Sequence, residues 1–204
     1  MSPKYTSLTE FWGVVKRLNT DARRCMKGIL ETAPEDEEAS SFWRRMYALS
    51  VFALFDGVIY RMTLYAYAAR HRRDVAFSLS ELSRLEKAFD FDRDEELVSS
   101  FSKTQMLDDI RFAFNVFARV HYSDYVLPTH EPGWMDVEEI LRIREVLQYP
   151  KEAQQLEVDH GKVTSLVEGL RWFVERMVDL IESSEKHTLD RFAAWEDEEE
   201  GSIM

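Results

Sequence analysis

The sequence predicts an all-α protein, an up-and-down-like bundle of five to six helices. Three observations predict it. The five prolines (Pro3, Pro34, Pro128, Pro132 and Pro150) all fall between periodic segments or just outside one, where a helical chain tolerates them. No long run alternates apolar and polar residues as a half-buried strand would. Ser-x-x-Glu occurs twice at the head of a periodic segment, the spacing at which serine and glutamate satisfy each other's free backbone donors.

The first of these, Ser7 to Glu10, opens a helix that runs to about Thr32 and stops before Pro34. Glu35 to Glu38 then form an acidic entry to the second helix, where carboxylates suit the positive end of the backbone dipole. That helix runs from about Ser40 to Arg70. Phe42, Met46, Leu49, Ala53, Tyr60 and Tyr67 make one apolar stripe on it, and Tyr47, Val51, Leu54, Val58 and Tyr65 make another. A helix apolar on two sides belongs at the centre of a bundle. Ser78 to Glu81 opens a short third helix to about Phe89, followed by a polar connection over Asp90 to Asp94. The fourth helix covers Lys103 to His121. A loop with two prolines and Gly133 spans Tyr125 to Trp134, so the fifth helix is expected from Asp136. It must end near Tyr149, because Pro150 disfavours helical geometry in the residue before it. The last helix starts near Asp159 and runs to about Ser184, with a continuation through Trp195 left open.

These elements make one domain over 1–195, with an acidic tail over 196–204 expected to be disordered. The 204 residues are 45% hydrophobic and 13% aromatic, enough for a substantial core. A single cysteine, Cys25, rules out an intrachain disulfide and points to a reducing, cytoplasmic setting. The first residues lack the apolar core of a signal peptide. The stretch nearly free of charge, Met46 to Tyr60, contains Asp56 and is shorter than the roughly 20 residues that span a bilayer. No membrane span is expected. A net charge of −12 repels phosphate backbones and argues against non-specific DNA coating, although part of that charge sits in Glu196 to Glu200.

Few segments carry chemistry. There is no Gly-rich phosphate loop, no paired cysteine ligand set and no His-Glu-x-x-His, and no metal or cofactor is expected. His121, His130 and Glu138-Glu139 form no metal site or nucleophilic triad. Arg70-His71-Arg72-Arg73 is a compact basic run that either touches phosphate or complements the end of the second helix. Asp56 is the only charge between Arg45 and Arg61, and a carboxylate on an apolar stripe needs a partner. Arg144 across the bundle and Arg61 nearby are the two candidates.

The most informative stretch is Leu141-Arg142-Ile143-Arg144-Glu145-Val146-Leu147-Gln148-Tyr149-Pro150-Lys151, leading into Leu156-Glu157-Val158-Asp159. It resembles the segment of the HEPN superfamily (higher eukaryotes and prokaryotes nucleotide-binding) in which an arginine and a polar residue precede a histidine, with proline and lysine following in some members. Arg144 matches the arginine, Glu145 the polar residue, and Pro150 and Lys151 the continuation. Tyr149 stands where the histidine would be. Ser41 to Arg45, Asp56-Gly57 and Ser80-Glu81-Leu82 extend the likeness over about 40–185.

The resemblance implies a helical fold and a homodimer with sites facing across a twofold axis. It implies candidate site residues Arg144, Tyr149, Glu145 and Asp56, and no metal. It allows an antitoxin-like or nucleotidyltransferase protein partner, or RNA. Two functions follow. One is a non-catalytic, partner-binding HEPN-like module. The other is a metal-independent ribonuclease or toxin of a bacterial defence or toxin–antitoxin system. In such a nuclease, arginine would hold the phosphate bidentately and histidine would move the proton. Tyrosine, with a reference pKa of about 10, is a poor base at neutral pH. That favours the first function. It also makes Tyr149→His the substitution expected to raise activity, provided Pro150 lets residue 149 swing back towards Arg144.

Overall fold

The computed structural model describes residues 8–89 and 103–201. Six α-helices and one 3₁₀ turn form an all-helical bundle, with no strand among the described residues. They are α1 (Leu8–Glu31), α2 (Glu37–Ala69), α3 (Leu79–Phe89), α4 (Lys103–Val120), α5 (Pro132–Gln148) and α6 (His160–Gly201), with the 3₁₀ turn at Ala153–Leu156. The pairing of Ser7 with Glu10 and the connection over Asp90 to Asp94 lie outside the described residues.

Local chemistry sets most of these boundaries. Asp36, not Ser40, caps α2: its carboxylate accepts the Ala39 N–H at 3.0 Å, so the helix begins at Glu37. Ser78 and Glu81 close a full capping box. The Ser78 N–H donates to Glu81 Oε2 at 2.7 Å and the Glu81 N–H donates to Ser78 Oγ at 3.3 Å. Helix α5 starts at Pro132, one turn before the expected Asp136. Proline lacks an N–H where the first turn needs none, and its fixed φ suits helix entry. The final helix passes Ser184 and Trp195 and includes the backbone of the acidic run to Gly201.

Helix α2 touches all five other α-helices, which places it at the centre as expected. Its second stripe forms core: Tyr47, Val51, Leu54 and Val58 are buried together with Phe52, Phe55, Ile59 and Met62. Phe55 stacks on Phe173 of α6 with ring centroids 4.0 Å apart, and Phe114 of α4 meets Phe173 edge-on at 5.8 Å. These three rings tie the middle of the bundle together. Close approach needs glycine at several points between helix pairs, Gly28 and Gly169 among them. A Cβ on Gly28 would lie 2.4 Å from the Trp43 indole between α1 and α2, and one on Gly169 would lie 3.0 Å from the Asp136 backbone between α6 and α5.

The first stripe of α2 does not follow expectation. Phe42, Leu49 and Tyr60 are 46%, 46% and 50% exposed, and Ala53 is exposed too. Both stripes have helical spacing, but among the described residues the other helices leave Phe42, Leu49 and Ala53 exposed, while Tyr60 and Tyr67 meet Phe89 of α3. Helix α2 is also long and apolar enough to cross a membrane by length and composition; half of its most apolar stretch is buried in the bundle.

Candidate functional site

The site expected from sequence divides into two parts. Arg144, near the end of α5, reaches back to the middle of α2. Its Nη1 donates to Asp56 Oδ1 at 2.8 Å and its Nη2 donates to Asp56 Oδ2 at 2.9 Å. This is a fork-to-fork pair, and of the two candidate partners for Asp56 it selects Arg144. Met106 of α4 adds a sulfur contact to Nη1 at 3.3 Å. Three helices therefore meet at one guanidinium.

The two partners differ in exposure. Arg144 is only 6% exposed, whereas the Asp56 side chain is 45% exposed. Burial lifts the Asp56 carboxyl above its ordinary value, and the charge and hydrogen bonds of Arg144 pull it down only in part. The pair is thus only half removed from water: the guanidinium is buried and the carboxylate keeps one open side. The pair joins α5 to α2.

Tyr149 and Glu145 lie elsewhere. Pro150 does take Tyr149 out of the helix, with φ −130° and ψ 57°, but its N–H still donates to the Glu145 carbonyl at 3.2 Å and its side chain is 61% exposed. The side chain does not swing back into the Arg144 site. Glu145 is exposed on the surface of α5. The structure therefore brings Arg144 and Asp56 together and leaves Tyr149 and Glu145 outside. A cavity beside this part of α5, lined by residues such as Arg142, Ile143, Leu147 and Lys162, has a volume of about 130 Å³, and neither Arg144 nor Tyr149 lines it. Ligand pockets typically hold about 300–1,000 Å³.

The basic run closes helix α2. Arg70 Nη1 donates to the Tyr67 carbonyl at 2.8 Å, with its guanidinium 3.6 Å above the Tyr67 ring. Arg72 pairs with Asp74 at 2.9 Å and donates to Tyr122 Oη at 2.9 Å. Arg72 and Tyr122 hold the Asp74 carboxyl well below the usual carboxylate range. They also pin a turn in which Tyr122 adopts φ 57°. The dipole-complementing reading of the run fits these contacts.

Beside that turn, His121 packs against Phe117 at 4.6 Å and Tyr65 at 5.1 Å, and its Nε2 is buried with no hydrogen-bond partner among the described residues. Burial, helped by the Arg72 charge, lowers its pKa to about 4. The unfolded chain takes up this proton near pH 6.5 and the folded chain only near pH 4, so stability is intact above pH 6.5 and falls as the pH drops towards 4. We expect His121→Phe to abolish this component, worth at most about 3 kcal/mol. Urea titrations of both proteins at a series of pH values check it. Equal acid sensitivity would refute the assignment to His121.

Two polar clusters escaped the sequence reading. Arg44 is buried on α2, bonded to Ser40 Oγ at 2.8 Å and paired with Glu37. Their spacing within one helix was a usable signal. Glu131, just before α5, accepts from Trp172 Nε1 at 2.7 Å and pairs with Arg176 at 3.3 Å, fastening the α4–α5 loop to α6. No local pattern signals that contact. No group of three or more potential metal ligands occurs among the described residues. No protein-family model, curated protein or solved structure matches the chain.

Proposed function

We propose that this chain is a non-catalytic, HEPN-like helical module that binds a protein partner and does not itself cleave RNA. One observation carries the reading: both terminal nitrogens of the buried Arg144 are committed to Asp56. A phosphate-binding arginine must present that fork to the ligand. Here the fork already holds a carboxylate inside the bundle, and the residue in the histidine position faces solvent at a helix end.

The test is incubation of pure protein with total RNA in the presence of a chelator, with Arg144→Ala and Tyr149→His alongside. We expect no cleavage above background from any of the three. Sequence alone favours a gain from Tyr149→His; the exposed position of residue 149, apart from the Arg144–Asp56 pair, argues against one. General acid–base catalysis contributes on the order of 10²–10⁴-fold, but only from a group within reach of the transferred proton. Metal-independent cleavage by the wild type, lost in Arg144→Ala, would establish the ribonuclease reading instead.

A further inference from the structure

The first two helices each carry an arginine one turn after a glycine: Gly13 and Arg17 on α1, Gly57 and Arg61 on α2. The two pairs come together at one place. A Cβ on Gly57 would lie 2.6 Å from Leu18 Cδ1 and 3.8 Å from Val14 Cγ1, so α1 seats closely on α2 there. Beside this contact runs an open groove of about 420 Å³, lined among the described residues by Glu10, Gly13, Val14, Arg17, Leu18 and Arg61. That volume falls within the usual range for binding pockets, about 300–1,000 Å³. A helical side chain leans over the turn before its own Cα, which carries each arginine back over its glycine.

Two features of this groove answer to nothing else in the fold. The first is its charge. Neither Arg17 nor Arg61 has a hydrogen-bond or ion-pair partner among the described residues, while Arg24, Arg44 and Arg45 on the same two helices each have one. No acid stands three or four residues from Arg61 on α2, and Asp56 is taken by Arg144. On α1, Asp21 pairs with Arg24, and Glu10 has an interaction of its own. The second feature is Gly13. Glycine is unfavourable inside a helix relative to alanine, yet a Cβ here would meet nothing within 4 Å among the described residues. The seating of α1 on α2 accounts for Gly57 but not for Gly13, and the space that Gly13 leaves belongs to the groove.

We propose that the partner protein docks in this groove through a short acidic segment. Two carboxylates of the segment go to Arg17 and Arg61, and an apolar side chain lies on Val14 and Leu18 in the space beside Gly13. The proposal rests on the partner-binding reading and names the chemistry of the partner. A guanidinium binds a carboxylate bidentately, so two open ones in one groove select a pair of negative charges. A long polyanion such as RNA would meet the chain's net charge of −12 beyond the groove, which a short segment does not. The open trough also suits a peptide better than a small molecule, which is usually enclosed over most of its surface.

Fluorescence anisotropy with the full chain tests it. The probes are labelled short peptides in which two glutamates flank a leucine at different spacings, the same peptides with glutamine for glutamate, and a labelled oligouridylate. At least one glutamate peptide should bind in the micromolar range, its glutamine counterpart should bind at least about tenfold more weakly, and added salt should weaken binding. Arg17→Glu and Arg61→Glu should each lower the affinity by at least about tenfold. Gly13→Leu should abolish binding without lowering the melting temperature, because leucine favours helix and fills only the groove. Loss of binding in that variant therefore reports a blocked groove and not a failed fold. No binding by any glutamate peptide, or binding untouched by the three variants, would overturn the proposal. So would tighter binding of the oligouridylate that the same variants remove. None of these results measures cleavage, so the partner-binding reading stands or falls separately in the RNA assay.

Discussion

Asp56→Ala is expected to lower the unfolding free energy by about 3 kcal/mol, more than its own loss of contacts would suggest. Breaking a buried ion pair from one side typically costs about 3–5 kcal/mol, because the remaining charge stays buried and uncompensated. Arg144 is the buried member, and Asp56 has one open side, which puts the expected loss at the low end of that range. The double variant Asp56→Leu/Arg144→Met should return to within about 1 kcal/mol of wild type, since removing both charges removes both desolvation costs. Urea denaturation of the wild type, the single variant and the double variant checks the pattern. A double variant as unstable as Asp56→Ala would show that the pair is net stabilising, contrary to the raised Asp56 carboxyl.

Phe173→Ala should cost about 3–5 kcal/mol. Phe173 is fully buried, stacked on Phe55 and met edge-on by Phe114, so its removal opens a cavity shared by α2, α4 and α6. The rings around the gap are held by separate helices and cannot collapse into it together. Val126→Ala, at a residue 76% exposed in the α4–α5 loop, should change stability by less than about 0.5 kcal/mol. Thermal or chemical unfolding of the two variants compares them directly. Near-equal losses would contradict the placement of Phe173 at the centre of the core.

What could be read from sequence was what is local or singular. Ser78 and Glu81 satisfy each other within one turn, so their pattern signalled a helix start without reference to the rest of the chain. Asp56 was legible as a paired residue because it is a lone charge on an apolar segment, though whether Arg61 or Arg144 answered it was open. The orientation of α2 was not legible. Both stripes have the same spacing, and which one is buried depends on where α1, α4 and α6 lie. Pro132 read as loop because it follows Pro128 in a polar stretch, yet it occupies the first position of α5. The direction of Tyr149 depends on the backbone at the end of that helix, which Pro150 perturbs without setting where the side chain goes. The pattern around Arg144 is local to α5, while the carboxylate that occupies the arginine comes from a helix 88 positions away in sequence.

Asp56 holds both terminal nitrogens of Arg144, which should close the guanidinium to phosphate. Nuclear magnetic resonance of arginine-labelled protein tests it most directly. With the bidentate pair in place, the Arg144 Nη groups should rotate slowly and give separate signals that Asp56→Asn removes. Those signals should stay unchanged when a single-stranded oligoribonucleotide is added in excess. Shifts or broadening of the Arg144 Nη signals on adding RNA, with the fold otherwise undisturbed, would show the fork open to phosphate and contradict the account.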